Sequence, residues 1–184
     1  TSQLILDARG MDIQKVALIN NSDLSELKYH YDSLKLVIDL GKEYTRKDTF
    51  KIFIDYTSKP NELTAGGSAA ISSNKGLYFI NPQGKEKNKP MQIWTQGETQ
   101  SNSAWFPTID SPNEKATQEI GITVNDRFTT LSNGTLILQE INNDGTRTDF
   151  WEMNRPNTPY LFMMAIGDFV VVKDKWRDMD VDYY

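Results

Sequence analysis

The 184-residue sequence contains no cysteine and only one histidine, His30. Without cysteine the chain cannot form a disulfide, an iron–sulfur cluster, a thiolate zinc site or a cysteine nucleophile. A single histidine excludes a metal site built from two histidines, such as the H-E-x-x-H helix. His30 is available for a Ser-His-Asp triad, but the G-x-S-x-G motif that accompanies many such triads does not occur. The sequence therefore does not predict a self-contained enzyme.

Long apolar runs and an excess of basic residues are also missing. The closest candidate for a membrane span, residues 161–166, ends at Gly167 and Asp168, well short of the roughly 20 residues needed. Twenty basic and 25 acidic residues give a formal charge of −5, and no basic stripe stands out. We therefore expect neither a membrane span nor a nucleic-acid partner.

The pattern that does recur is an alternation of apolar and polar residues, which is typical of half-buried β-strands. Residues 50–56 and 120–124 show it clearly, and no stretch of a dozen residues keeps a helical repeat. Residues 135–140 and 147–153 flank Asn143-Asp144-Gly145, where Asp-Gly favours a tight hairpin turn. One further strand is predicted to place four apolar residues on a single face: Leu34, Leu36, Ile38 and Leu40.

Strands at about ten-residue spacing, with turn signals between them, predict one all-β domain over residues 1–184. The runs 160–166 and 169–172 are predicted to be strands as well. The segment 64–74 is rich in Gly, Ala and Ser, and is predicted to be the most flexible. Asp110 is predicted to cap the turn that contains Ser111 and Pro112.

Gln96 and Glu98 form the most informative pair of polar residues. Two positions apart on a strand, their side chains would lie on the same face and could hold a cation or an amine together. Gly97 between them leaves the opposite face bare, which allows another chain to approach closely.

Around this pair the sequence resembles a known family. Residues 95–98 read Thr-Gln-Gly-Glu, and residues 106–112 read Phe-Pro-Thr-Ile-Asp-Ser-Pro. Together they resemble the T-Q-x-E … F-P-C-F-D-x-P signature of the aminopeptidase N family of zinc metallopeptidases. Three later blocks match that family in the same order, namely Lys-Ala-Thr at 115–117, Leu-Ser-Asn-Gly at 131–134 and Ala-Ile-Gly-Asp-Phe at 165–169. The resemblance spans nearly the whole chain.

The resemblance implies a saddle-like β-sandwich domain, the amino-terminal domain of a zinc-dependent aminopeptidase. In the family this domain is set against a catalytic domain with a G-x-M-E-N motif and an H-E-x-x-H … E zinc site. Neither motif occurs in this sequence. The fragment is therefore expected to be inactive, with no catalytic residue and no metal ligand of its own, while zinc belongs to the missing catalytic domain of the parent protein.

The resemblance also implies roles for two residues. Glu98 would accept the α-ammonium group of a peptide substrate, and Gln96 would line the pocket for the first side chain. The expected partners are the amino terminus of the peptide and the protein's own downstream catalytic domain, and the domain would shape the cleft between them.

Two alternatives stay open. The chain could be a stand-alone β-sandwich binding or scaffold module, for example one that presents tryptophans to a carbohydrate, or a family member that has lost catalysis. The sequence starts at Thr1 without an initiator methionine, which we interpret as a piece of a longer protein. The lack of cysteine fits the cytoplasm and the periplasm equally, so localisation is left open.

Overall fold

A computed structural model describes residues 1–64 and 73–184 of the protein. Their regular structure consists of fifteen β-strands and three short 3₁₀ helices, with no α-helix among the described residues. The predicted all-β fold class is therefore confirmed. No helix in this part of the chain is long and apolar enough to cross a membrane. Most of the segment predicted to be flexible, residues 65–72 of 64–74, lies outside the described residues.

The first eight strands are β1 Gln3–Asp7, β2 Met11–Asn20, β3 Asp23–Glu26, β4 Tyr29–Tyr31, β5 Lys35–Asp39, β6 Ile52–Ser58, β7 Leu77–Ile80 and β8 Gln92–Thr95. The other seven are β9 Ala116–Asn125, β10 Thr129–Ser132, β11 Thr135–Ile141, β12 Thr146–Asn157, β13 Met164–Gly167, β14 Val172–Trp176 and β15 Met179–Tyr183. The 3₁₀ helices are Pro60–Glu62, Asn102–Ala104 and Pro159–Leu161.

The chain packs as two compact units. Unit 1 comprises Thr1–Tyr78, Thr95–Ala116 and Asn157–Phe162, and unit 2 comprises Phe79–Trp94, Thr117–Pro156 and Met163–Tyr184. Each unit draws on segments that are distant in the sequence. The single domain over residues 1–184 stays a prediction.

Unit 1 contains two antiparallel three-stranded sheets, with strand orders β1-β5-β4 and β3-β2-β6. The alternation predicted around residue 36 is confirmed, because Leu36 and Ile38 on β5 are fully buried and Leu40 is 2% exposed. Leu34 was predicted to share their face, but it precedes β5 and is 57% exposed. The buried residues that form the core of this unit are Ala8, Met11, Val16, Leu36, Ile38, Leu40 and Tyr44.

Unit 2 is built around a core of Ile122, Trp151 and Ile166. Its strands belong to a four-stranded sheet with the order β10-β13-β8-β7, a three-stranded sheet with the order β11-β12-β9, and the β14-β15 hairpin. The predicted turn between β11 and β12 is confirmed. Gly145 adopts a φ of +80°, which glycine tolerates without steric cost, and the Asn142 N–H donates to the Thr146 carbonyl.

β11 forms one edge of its sheet, and all seven of its residues are exposed. Three consecutive apolar residues lie in it, Leu136, Ile137 and Leu138, and Ile141 at its end is 81% exposed. A β-bulge between Leu136 and Leu138 interrupts its register with β12.

The prediction of a strand over residues 160–166 is wrong for its first half. Pro159–Leu161 forms a 3₁₀ helix, and β13 begins only at Met164. The reason lies in tertiary contacts, because the Pro159 and Phe162 carbonyls accept hydrogen bonds from the Asn102 side chain instead of from a neighbouring strand. The strand predicted at 169–172 likewise begins later, at Val172.

A buried charged network stabilises unit 2. Asp149 on β12 is 1% exposed, and each of its carboxylate oxygens accepts two hydrogen bonds. Oδ1 accepts from Arg147 Nε at 2.7 Å and Gln139 Nε2 at 2.9 Å, while Oδ2 accepts from Arg147 Nη2 at 2.9 Å and Thr130 Oγ1 at 2.7 Å. Trp151 Nε1 donates to the Thr130 hydroxyl and extends the network to the core.

This network fixes the charge of Asp149. Burial by itself would raise the pKa of Asp149, but hydrogen bonds from Arg147, Thr130 and Gln139 and the guanidinium charge outweigh it and hold the pKa below its usual value. A carboxyl with a lowered pKa in the folded state stabilises the protein above its unfolded pKa, near 3.9. That stabilisation is lost as the pH falls through the folded value.

We expect Asp149→Asn to lower the free energy of unfolding at pH 7 by about 3 kcal/mol, because it leaves the largely buried Arg147 guanidinium without its counter-ion. Urea unfolding followed by tryptophan fluorescence measures the change. The matched control, Asp168→Asn at an exposed position, should unfold like the wild type.

The wild type should also lose more stability than Asp149→Asn between pH 5 and pH 3. Equal losses would contradict this account.

Candidate functional site

Gln96 and Glu98 lie in the segment that follows β8, which ends at Thr95. The segment is therefore a loop and not the strand on which the two side chains would share a face. The Gln96 N–H donates to the Gly76 carbonyl at 2.9 Å, but the chain then turns, and the Ser101 N–H donates to the Gly97 carbonyl at 2.8 Å. We call residues 96–101 the Glu98 loop.

The two side chains are brought together in a different way from the one predicted. Gln96 Oε1 accepts a hydrogen bond from the backbone N–H of Glu98 at 3.0 Å, so the Gln96 side chain supports the loop backbone. Its amide nitrogen makes no hydrogen bond with a described residue. The Glu98 side chain is exposed, and its carboxylate has neither a hydrogen bond nor an ion pair within the described part of the chain.

Gly97 explains why the loop lies where it does. The Gly97 residue is buried, and a Cβ added there would overlap the Tyr160 carbonyl oxygen and lie 2.7 Å from Asn102 Oδ1. What approaches Gly97 belongs to the same chain, namely the 3₁₀ helix Pro159–Leu161 and the Asn102 side chain. Only glycine permits this packing without a shift of backbone atoms.

Asn102 is the centre of the packing beneath the loop. Its side chain is fully buried, and its Nδ2 donates to the carbonyls of Pro159 and Phe162, the latter at 2.8 Å. Its Oδ1 accepts from the Trp105 indole N–H at 2.8 Å. These three bonds satisfy most of what a buried amide requires and tie the Glu98 loop to residues almost 60 positions later.

An aromatic cluster supports the same region. The Trp105 and Phe106 rings meet edge to face with centroids 4.4 Å apart, and the Phe106 ring stacks on Phe162 at 5.8 Å. Trp105 is only 9% exposed. Such ring pairs stabilise a fold beyond the apolar area that they bury.

Asp110 is a structural residue, as expected, but it caps a different element. Its buried carboxylate accepts from the Ser103 N–H at 2.9 Å, in the 3₁₀ helix Asn102–Ala104, instead of capping the turn at Ser111. Its carbonyl accepts from Gln100 Nε2 at 2.6 Å, and its own N–H donates to Asp7 Oδ2 at 3.1 Å. Asp110 therefore fixes the far end of the Glu98 loop.

The described residues do not fit a zinc ion. No group of three or more His, Cys, Asp or Glu side chains among them is arranged to hold a metal. What the loop offers chemically is a rigidly supported and unpaired carboxylate, which suits an ammonium group better than a Lewis-acid site.

Comparison with known proteins agrees with the sequence signature. A family model described as the peptidase M1 N-terminal domain matches residues 1–161 of the chain. The chain belongs to this family.

Individual relatives fit the M1 assignment. Aminopeptidase B of Rattus norvegicus is 29% identical over 98 residues, which is 53% of this chain and 14% of that protein. Transcription initiation factor TFIID subunit 2 of Danio rerio is 22% identical over 147 residues, or 78% of this chain and 11% of that protein. The matched part of this chain thus spans about a seventh of the length of the aminopeptidase and about a ninth of that of the TFIID subunit.

Solved structures share the fold. A mutant M1 zinc metallopeptidase from Deinococcus radiodurans, bound to a Tyr-Ser-Ala substrate, aligns with a TM-score of 0.76 at 17% identity. The alignment covers 98% of this chain and 38% of that one. At this identity the likeness shows that the two chains share a fold.

The tryptophans do not form the row that a sugar-binding platform needs. Trp105 and Trp151 are buried at 9% and 5% exposure, whereas Trp94 and Trp176 are 39% and 56% exposed. The exposed pair lies on β8 and β14, which belong to different sheets. The carbohydrate module is therefore not favoured.

Sequence reasoning missed Asn102 altogether. A buried asparagine whose partners are backbone carbonyls 57 and 60 positions away leaves no local pattern. The signal within reach was Pro159, since a proline in a run that otherwise resembles a strand indicates a break.

We expect Gly97→Ala to destabilise the protein by about 2 kcal/mol, because the methyl group must displace the Tyr160 carbonyl or the Asn102 amide. Urea unfolding measures the loss. The control is Gly121→Ala on β9, where the nearest atom is a ring carbon of Phe150 at 3.1 Å that can shift. If both variants lost the same free energy, the packing at Gly97 would have no special importance.

Proposed function

We propose that this chain is the non-catalytic N-terminal domain of a zinc-dependent aminopeptidase, in which Glu98 anchors the amino terminus of the peptide substrate. The observation that carries the proposal is the unpaired, exposed Glu98 carboxylate on a loop whose backbone is tightly packed. An ammonium group facing a carboxylate makes charge-assisted hydrogen bonds, which contribute roughly 1.5–3 kcal/mol each.

The rigidity of the loop matters as much as the charge. Gly97, Asn102 and Asp110 hold its backbone, and the Gln96 side chain ties the Glu98 N–H. A carboxylate that is already in position loses little conformational freedom on binding, so more of the interaction energy appears as affinity. Anchoring the amino terminus also fixes which peptide bond reaches a distant reactive centre, and one residue is removed at a time.

Gln96 has a narrower role in this proposal than the sequence suggested. Its Oε1 already accepts the Glu98 N–H, so only the amide nitrogen remains to meet a substrate. We place Gln96 as a positioning residue for Glu98 that also lines the pocket of the first side chain through that nitrogen.

The catalytic part of the reaction belongs outside this chain. The M1 relative from D. radiodurans is named a zinc metallopeptidase, and this chain matches 38% of its length. Zinc and the catalytic groups would come from a downstream domain of the parent protein, which is the partner that we propose for the N-terminal domain.

In the full-length protein, we expect Glu98→Gln to lower kcat/KM for peptides with a free amino terminus by roughly 10- to 150-fold, mainly through KM, because one charge-assisted contact is lost. Steady-state kinetics on unblocked dipeptides measures the effect. Glu98→Asp should recover part of the activity, and the control Glu119→Gln, an exposed acid on β9, should behave like the wild type.

The free energy of unfolding separates this role from a structural one. Because the Glu98 carboxylate has no partner within the described residues, Glu98→Gln should unfold at the wild-type urea concentration. A variant with full activity towards free-amine peptides would remove Glu98 from the proposed role.

The 184-residue chain alone is expected to be inactive. After metal removal and addition of zinc, it should hydrolyse no aminoacyl reporter substrate above background, because the described residues include no metal-binding cluster. Measurable zinc-dependent turnover would overturn the assignment as a non-catalytic domain.

A second candidate is a family member that has lost catalysis. One relative, TFIID subunit 2, is named as a transcription initiation factor subunit and not as a peptidase, which favours this second candidate. The sequence that follows residue 184 in the parent protein distinguishes the two, because an H-E-x-x-H motif with a later Glu would supply the zinc ligands. Without that motif the domain would serve binding or assembly alone.

A further inference from the structure

Unit 2 contains an apolar cavity that the proposed function does not use. It is half-open and has a volume of about 180 Å³. Its floor is continuous with the core of the unit, because Ile93, Val124 and Phe128 both line it and pack against the core residues. Phe79, Ile80 and Met91 complete its apolar wall.

The size of the cavity restricts what it can hold. Sites for drug-sized ligands measure about 300–1,000 Å³, so this one is too small for a cofactor or a whole lipid. An apolar cavity of about 150 Å³ accommodates a benzene ring. The cavity therefore matches one aromatic or large aliphatic side chain.

A basic loop lies at the edge of the cavity. Pro82 and Met91 both line the cavity, and residues 82–90 between β7 and β8 are all exposed. This loop carries three lysines, Lys85, Lys87 and Lys89, against one acid, Glu86. Lys89 is paired with Glu86 at 3.4 Å, and Lys85 and Lys87 have no ion pair within the described residues.

The basic loop has a defined conformation. Asn81 is 7% exposed, and its Nδ2 donates to the carbonyls of Glu86 at 3.0 Å and Lys89 at 2.6 Å. Its Oδ1 accepts from the Glu86 N–H at 3.1 Å. Three hydrogen bonds between one buried amide and the residues Glu86 and Lys89 thus close the loop. The lysines therefore project from a pre-organised backbone.

Arg127 adds a positive charge to the same rim. Its guanidinium carbon lies 4.5 Å from the centre of the Phe128 ring, and Nη2 is 3.6 Å from Met91 Sδ. The guanidinium therefore covers two residues of the cavity wall. The adjacent Asp126 is also exposed, and its carbonyl accepts from Arg147 Nη1.

We propose that this cavity is a docking site for an acidic peptide segment of a partner protein, which inserts one aromatic or large aliphatic side chain and places its carboxylates against Lys85, Lys87 and Arg127. The positive charge of the rim is the reason for proposing an acidic partner. The chain as a whole has a net charge of −5, so a local excess of cations beside an apolar cavity favours an acidic segment over a basic one. The site is independent of Glu98.

The test uses short peptides blocked at both ends, so that no free amino terminus can bind at Glu98. The probe is acetyl-Asp-Glu-Phe-Asp-Glu-amide, titrated into the isotope-labelled chain while methyl resonances of Ile80, Met91 and Ile93 are followed by NMR. We expect saturable shifts confined to the cavity residues, and an affinity that weakens as salt is raised.

Two altered peptides separate the apolar contact from the charge. Replacing Phe by Ala should weaken binding about tenfold, since the cavity is then left unfilled. Replacing the four acids by Lys should abolish the shifts. If the basic peptide bound as well as the acidic one, the rim charge would play no part and the proposal would fail.

Variants of the chain test the same two features. Lys85→Glu combined with Lys87→Glu should raise the Kd for the acidic peptide about tenfold. The control Lys115→Glu, at an exposed lysine without an ion pair among the described residues, should leave the Kd unchanged. Val124→Phe fills the cavity and should remove binding. If that variant folds poorly, the double variant Lys85→Glu, Lys87→Glu still tests the proposal.

Two further outcomes overturn the proposal. The first is the absence of any methyl shift with the acidic peptide at millimolar concentration. The second is a response to vesicles of anionic phospholipid but none to the peptide, which would assign the basic rim to a membrane surface.

Discussion

The candidate site depends on one buried amide. Asn102 joins the Glu98 loop to the 3₁₀ helix Pro159–Leu161 through its two donated hydrogen bonds, and to Trp105 through its acceptor. Because these partners lie in different parts of the chain, the loop acquires its position only when unit 1 is folded. Gly97 then permits the backbone contact that the amide imposes. The exposed carboxylate is thus a product of tertiary packing.

The acidic residues of this chain differ in whether their carboxylates are already hydrogen-bonded within the protein. Asp149 and Asp110 are buried, and both carboxylate oxygens of Asp149 and Oδ2 of Asp110 accept hydrogen bonds from the protein's own donors. Glu98 is the opposite case, an acid whose neighbours bind its backbone and leave its side chain to solvent. A ligand with a positive charge meets an available partner only at an acid of the second kind. The fold therefore contains carboxylates of two kinds, those engaged inside the protein and those exposed to solvent.

Local patterns predicted the parts of the fold that local chemistry determines. The alternation in β5 and the Asp144-Gly145 turn are confirmed, since side-chain period and turn geometry involve only neighbouring residues. The 3₁₀ helix at Pro159 was missed because contacts across almost 60 positions decide it. β3 was missed as well, because all four of its residues are exposed and it shows no alternation. The Gln96–Glu98 pair could be located by resemblance, whereas its geometry required the coordinates.

The edge strand β11 has a practical consequence for anyone who prepares this chain. Its seven exposed residues include a Leu-Ile-Leu run, and Glu140 is its one charged residue. Among the described residues β11 pairs only with β12, and an edge strand with so few charges is a template on which further chains can add, as in amyloid-like assembly. The β-bulge at Leu136 and Leu138 twists the edge and reduces that hazard without removing it. Precipitation during concentration would therefore start at this strand.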